Sequence, residues 1–448
     1  MKSRVPKVLH RVAGRPMIDH VLDLAAELSP SSVTLVVGYG ADLVRESLAA
    51  RPGLRFALQE PQLGTGHALL QAEPLLEGAS GIVLLLSGDV PLLKAATLRR
   101  LVTAHDAAGA AATVLTARVD QPEGYGRIVR ESPGGRILRI VEHRDAGEEE
   151  RRIREINTGI YAFDVAPLFA ALHAIGAANA QGEYYLPDLV AIYRSRGLGV
   201  ETVETGDVRE VQGINSRSEL AEASAAVRRR RCEELMAAGV TIVDPAATYI
   251  DSTVTVGADT TIHPNVYLEG ATSIGEGCEI HSGVRVVDSA IGSGAVILNH
   301  CVITSSMIGD GVRVGPFAHV RPESHVMEGA HIGNFVELKK TTVGRGSKAN
   351  HLTYLGDATI GEKVNVGAGT ITCNYDGEKK HPTVIEDGAF IGSDTQLVAP
   401  VKVGRGAYVG AGSSITKDVP PGALAIARGT QVNKDGWVER RKKEKGKR

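Results

Sequence analysis

His351, Arg321 and the pair Lys339-Lys340 are the residues of the C-terminal half whose types and spacing suit group transfer. Transfer of an acetyl group to an amine needs a base for the proton and donors for the developing oxyanion. It also needs cations where substrate phosphates sit. His351 is the candidate base, and Arg321 and Lys339 are the candidate cations. Each taken singly has a plainer reading, as a structural histidine or a solvated charge. In the N-terminal half, Leu84-Leu85-Leu86-Ser87-Gly88-Asp89-Val90-Pro91 reads as a buried strand ending in a carboxylate. Ligands bind at the carboxyl edge of a parallel sheet, where a carboxylate suits Mg²⁺ on nucleotide phosphates; an Asp after a strand also serves as a helix cap. Gln59 is followed by the turn Gly64-Thr65-Gly66, small enough for close approach to a nucleobase or sugar.

Two kinds of element must position these groups. Up to about residue 215, short apolar runs at 32–37, 82–86 and 111–115 alternate with amphipathic segments at 16–28, 68–76 and 95–105. Strands alternating with helices imply a parallel, Rossmann-like α/β sheet covered on both faces over 1–215. Residues 216–240 read as one long linker helix. From about residue 250 the pattern changes. Ile or Val directly precedes Gly at 256, 274, 291, 308, 314, 332, 343, 360, 366, 391, 403 and 409. The successive spacings are multiples of six or fall one residue from one. A six-residue period with a buried aliphatic implies a hexapeptide parallel β-helix over 241–430, with three short strands to each coil. Coils stack about 4.8 Å apart, so residues one or two coils apart converge on one groove. The longest spacing spans the polar stretch 371–382, which should leave the solenoid as a loop.

The chain has 448 residues and a formal net charge of −2, which excludes a global electrostatic attraction to nucleic acid or membrane. The basic run at 431–448 reads as a solvated tail. Four cysteines (Cys232, Cys278, Cys301 and Cys373) show no paired or zinc-ligand spacing, which fits a reducing compartment. No signal core and no unbroken apolar run long enough to span a bilayer is present, so a cytoplasmic protein is expected.

The whole chain resembles the bacterial bifunctional family that joins N-acetylglucosamine-1-phosphate uridylyltransferase to glucosamine-1-phosphate N-acetyltransferase. The motifs Gly315-Pro316-Phe317-Ala318, Gly333-Asn334-Phe335-Val336-Glu337, His351-Leu352-Thr353-Tyr354-Leu355-Gly356-Asp357 and Gly367-Ala368-Gly369-Thr370 through Asn374-Tyr375-Asp376-Gly377 carry it in the second half. The resemblance implies a left-handed β-helix and a homotrimer with each acetyl site formed between chains. It makes His351 the base, with Arg321, Lys339, Tyr354 and Asn365 around the acetyl acceptor. Ala368, Asn374, Tyr375, Ser393, Ala411 and Arg428 fall where the family binds acetyl-CoA. In the first half Pro6-Lys7-Val8-Leu9, Gly88-Asp89-Val90-Pro91, Gly124-Tyr125-Gly126-Arg127, Val141-Glu142-His143 and Gly213-Ile214-Asn215 match in order. By that match Asp89 and Asn215 ligate Mg²⁺, while Lys7 steadies phosphate. Gln59, Gly64 and Thr65 face the uridine of UTP, and Gly126, Glu142 and Asn157 face N-acetylglucosamine.

The sequence departs from the family at one place. The family opens with a strand and a glycine-rich loop whose amides cradle the triphosphate, and Met1-Lys2-Ser3 begins where that motif ends. A first strand and loop missing from the sheet would leave the flanking strands unpaired and make uridylyl transfer doubtful for this chain, with a start placed at an internal methionine as the expected cause. Two further readings are an acetyltransferase carrying a defective nucleotidyltransferase platform and a non-catalytic assembly subunit. His351, Arg321 and Lys339 argue against the second, because a scaffold needs none of them.

Overall fold

The computed structural model describes residues 1–445, which form two compact units, Met1–Val227 and the residues from Arg228 on. In the first unit the apolar runs become eight principal strands: β1 (Val33–Val37), β2 (Leu54–Leu58), β3 (Ile82–Leu85), β4 (Ala112–Arg118), β5 (Arg127–Arg130), β6 (Ile137–Val141), β7 (Glu155–Asp164) and β8 (Val200–Glu204). The expected parallel sheet is in fact mixed. β8 runs parallel to β4, but β7 lies antiparallel to β3, β4 and β5, and β5 is antiparallel to β6. Alternation of strands and helices reports how the chain crosses the sheet, and β7 follows β6 without a long crossover helix to reverse it. β1 and β2 form a separate parallel pair, and among the described residues no strand joins that pair to β3. Tyr161, Phe163, Leu168 and Tyr193 are buried on one side of the sheet, Leu98, Leu101, Leu115 and Ile160 on the other.

Arg217–Ala237 is one helix of 21 residues, and the division between the units falls inside it. Beyond it the second unit is a left-handed parallel β-helix whose named strands all pair in parallel. The first flat face carries Thr261–Ile262, Glu279–Ile280, Val296–Ile297 and Arg313–Val314 in register. The second carries Tyr267–Glu269, Arg285–Val287, Val302–Thr304 and His319–Val320. The third is a sheet of nine short strands beginning at Thr255–Val256. One residue of each strand points inward, so Ile262, Ile280, Ile297, Val314 and Ile332 form a column with no solvent exposure. Its neighbours on the same strands point outward. Buried hydroxyls at the corners return hydrogen bonds to the backbone: Ser306 Oγ donates to Arg321 O (2.9 Å) and Thr341 Oγ1 to Leu355 O (2.9 Å).

In two successive coils the first and second faces merge into one strand through the corner, His331–Lys339 and Lys348–Gly356. The tail, read from sequence as solvated chain, contains a helix over Trp437–Lys445 with every residue exposed and Arg441 over the Trp437 ring. Residues 446–448 of that basic run lie outside the described residues. Among the described residues no helix is long and apolar enough to cross a membrane, and all four cysteines are free.

The inward column should dominate the stability of the solenoid. Ile297→Ala is expected to lower unfolding free energy by about 2–5 kcal/mol, read as a fall in the urea midpoint by circular dichroism. Val296→Ala, on the outward side of the same strand, should shift it by less than about 1 kcal/mol.

Candidate functional site

His351 stands where the merged strand Lys348–Gly356 turns the corner. The next residue, Leu352, adopts φ +46° with its side chain largely in solvent. A left-handed non-glycine residue costs about 1–2 kcal/mol, and here it turns the chain so that His351 projects outward. One coil earlier, Asn334 pairs in register with His351, and its Oδ1 lies 2.9 Å from His351 Nδ1. With the amide oxygen accepting, Nδ1 carries the proton and Nε2 presents its lone pair to solvent.

That corner continues upward as a column. Asp394 N bonds Ala368 O (2.7 Å), Gly412 N bonds Ser393 O (2.8 Å), and Arg428 Nη1 donates to Ala411 O (2.7 Å). Ala368, Ser393, Ala411 and Arg428 therefore follow His351 one coil at a time. The side chains of Ala368, Ser393 and Ala411 are small and at least partly exposed, so this strip beside the imidazole presents mostly backbone.

At the far end of the second face, Arg321, Lys339 and Gly356 occupy successive levels of the next corner. Arg321 Nη1 meets Glu337 Oε1 at 2.7 Å, and Lys339 Nζ lies 3.6 Å from Asp357 Oδ2. Asn374 donates to the same Asp357 carboxylate and lies 3.5 Å from the Tyr354 hydroxyl. A Cβ on Gly356 would collide with that hydroxyl, so only glycine leaves Tyr354 room to fold beneath the corner. Lys380, from the polar loop, lies against Lys339. The adjacent amine and then Asp357 hold the Lys339 pKa up, while Lys339 pushes that of Lys380 down. The arrangement is a cluster of three cations, Arg321, Lys339 and Lys380, with two carboxylates, Glu337 and Asp357, and its excess positive charge suits an anionic substituent.

Two residues stand apart from these groups. Asn365 is on the first face, in register with Lys348 and Phe390, and thus turned away from Tyr354. Tyr375 is exposed on the loop, its hydroxyl bonded to Gly377 O. Asn334, Glu337 and Asp357 are site residues that motif reading did not single out. The signal for Asn334 was its place one coil period before His351, a spacing that the solenoid converts into contact.

In the first unit, Lys7, Asp89 and Asn215 converge. Lys7 Nζ bonds the Asp89 carboxylate and donates to Asn215 Oδ1 at 2.6 Å. Asp89 lies just past β3, and a Cβ on Gly213 would stand 3.8 Å from Asp89 Oδ2 and 3.9 Å from Asn215 Nδ2, so glycine keeps this side of the pair free of a side chain. A carboxylate and an amide oxygen focused on one ammonium make a hard donor pair for a cation. Gln59 Nε2 donates to Gly64 O (2.9 Å) and lies 3.1 Å from His67 Nδ1. Thr65 Oγ1 accepts from Leu186 N (3.2 Å). These bonds set a rigid turn after β2.

Gly126, just before β5, Glu142, just after β6, and Asn157, on β7, form a third group. A Cβ at Gly126 would lie 3.3 Å from Glu142 Oε1 and 3.4 Å from Asn157 Cβ. Tyr161, buried beneath, donates to Asn157 Oδ1 (2.9 Å) and fixes its amide. Burial, reinforced by Asp145 and Asp188, pushes the Glu142 pKa up. An acceptor carboxylate and an oriented amide on a strand surface suit the hydroxyl and amide groups of a sugar.

Comparison with known proteins agrees with this division. Residues 1–173 match the MobA-like NTP transferase domain, 245–326 the GMPPB C-terminal domain, and 382–417 the bacterial transferase hexapeptide family. The chain is 53% identical over 443 residues to the bifunctional protein GlmU of Heliobacterium modesticaldum, covering 99% of this chain and 96% of that protein. The GlmU proteins of Trichlorobacter lovleyi and Shouchella clausii are 52% and 48% identical, each over 98% of this chain and 95% or 96% of their own length. Similarity of that extent, carried through both units, places the chain in the family of bifunctional GlmU proteins.

Proposed function

We propose that this chain catalyses two reactions of UDP-N-acetylglucosamine synthesis: acetyl transfer from acetyl-CoA to glucosamine-1-phosphate, then uridylyl transfer from UTP to N-acetylglucosamine-1-phosphate. The observation that carries the first is the His351–Asn334 pair at the foot of a strip of small residues. Acetyl-CoA lies along that strip, past Ala368, Ser393 and Ala411, with Arg428 at its upper end. Asn374 and Tyr375 flank it from the loop. The amine attacks the thioester carbonyl directly, its proton passing to His351 Nε2 and the thiolate leaving. Arg321 and Lys339 hold the sugar phosphate, and Tyr354 and Asn374 orient the ring. Asn365 faces away from this group in its own chain, which favours a homotrimer in which a neighbour's first face supplies it. The free cysteines fit a cytoplasmic setting.

For the second reaction, the oxygens of Asp89 and Asn215 already converge on a cation, the Lys7 ammonium, and so fit Mg²⁺. Mg²⁺ bound there would neutralise triphosphate charge. Lys7 then turns to a phosphate oxygen. Gln59, Gly64 and Thr65 hold the uridine, and Gly126, Glu142 and Asn157 hold the acceptor sugar. Its phosphate attacks the α-phosphorus of UTP in line with departing pyrophosphate, and positioning supplies most of the acceleration.

The two activities should separate cleanly in one chain. His351→Ala is expected to lower kcat for CoA release by about 10²–10⁴-fold and to leave pyrophosphate release unchanged. Asp89→Asn should do the converse, cutting pyrophosphate release about 10²–10³-fold. Loss of both activities in either variant would overturn the assignment. Glu142 gives a separate test on stability. Its folded pKa is raised, so the carboxylate's contribution falls as pH rises from its unfolded value through its folded value. Glu142→Gln should therefore raise Tm at pH 8, and that advantage should vanish near pH 4.

A further inference from the structure

We infer that the outer wall of the solenoid carries a Zn²⁺-class metal site formed by His263, Glu279 and His281, remote in sequence from every residue assigned above. His263 and His281 hold the same position on consecutive coils, each just after its first-face strand. Each is bonded by its backbone N–H to the coil above, His263 to Ile280 O and His281 to Ile297 O, both at 2.9 Å. The register stacks the two imidazoles, with ring centroids 4.8 Å apart and planes 7° from parallel. Glu279 opens the strand that ends at Ile280, two positions before His281, and its carboxylate reaches both imidazoles.

The distances suit a metal. Glu279 Oε1 is 3.3 Å from His263 Nε2 and 3.3 Å from His281 Nε2. Two ligands on a tetrahedral Zn²⁺, at about 2.0–2.2 Å from it, stand about 3.3–3.6 Å apart. All three ligand atoms lie within 4.8 Å of one another, and a bound ion would require the two parallel rings to rotate towards it. Two imidazoles and one carboxylate are borderline N/O donors, which select Zn²⁺ and its transition-metal neighbours over Mg²⁺ or Ca²⁺. Three protein ligands leave a fourth position open to water. The side chains are 24–48% exposed, so a metal can enter from solvent. Bound there, it would bridge two consecutive coils near the start of the solenoid.

The test uses the full chain, stripped with chelator and dialysed against Zn²⁺ in the presence of excess Mg²⁺, which occupies the Asp89–Asn215 pair. One zinc per chain is expected in the native protein. His263→Gln, His281→Gln and Glu279→Gln should each weaken that binding about a hundredfold or more, no less than loss of a group hydrogen-bonded to a metal ligand costs. Zinc should also raise the thermal midpoint of the native chain and not of the variants. Acetyl-transfer activity, which none of these residues touches, reports that each variant is folded. No zinc retained by the native chain, or equal retention by the folded variants, would overturn the site.

Discussion

The structure depends on one repeated contact, an aliphatic side chain from each flat face resting on its counterpart one coil below. Burying an Ile or Val fully is worth about 1.5–3 kcal/mol, and Ile262, Ile280, Ile297, Val314 and Ile332 repeat that term without exposing any of it. A slip of one residue would turn every inward side chain to solvent. Register is therefore held tightly, and outward residues one coil apart are forced into vertical columns. Tyr249 on Tyr267, His263 on His281 and Phe390 on Tyr408 are visible results of that forcing. The same constraint sets His351 beside Asn334 and stacks Arg321 under Lys339.

The first unit assembles its groups by another route. Its sheet brings together residues far apart in sequence, Lys7 with Asp89 and Asn215, through strand ends and the loops that leave them. Electrostatics rather than register makes these groups specific. Lys7 sits between two oxygens, and Glu142 is held in partial burial near Asp145 and Asp188. The Lys7 ammonium has two oxygen partners, whereas burial beside two further carboxylates leaves the Glu142 carboxylate poorly solvated.

What could be read from sequence follows from these two kinds of order. The six-residue lattice was legible because a periodic constraint writes itself at every period, and the faces, corners and extruded loop follow from it. His351, Arg321 and Lys339 stand out by residue type, and the lattice spacing sets them on neighbouring coils. Asn334 and Asp357 were not, because their roles come only from the coil above or below, and nothing in an Asn or Asp by itself announces a partner. The mixed sheet was missed because the antiparallel course of β7 depends on the short β5–β6 hairpin before it rather than on the apolar pattern of any strand. Asn365 illustrates a different limit: motif order places it among the acceptor residues, while the coil geometry turns it to another face.

The polar loop shows how a rigid solenoid can gain chemical groups without losing register. Across it, Asn365 pairs with Phe390 and Ile371 with Gln396, partners one coil away but joined by a longer stretch of chain than any neighbouring coil uses. The extra residues all leave and rejoin at one corner, so the columns above and below remain aligned. That corner is the one holding Lys339, Gly356 and Asn374, and the loop returns Lys380 to it. An insertion at any flat face would interrupt the inward column. An insertion at a corner adds residues only where the chain already leaves the core, which is why the longest coil can add groups to the corner without disturbing the columns.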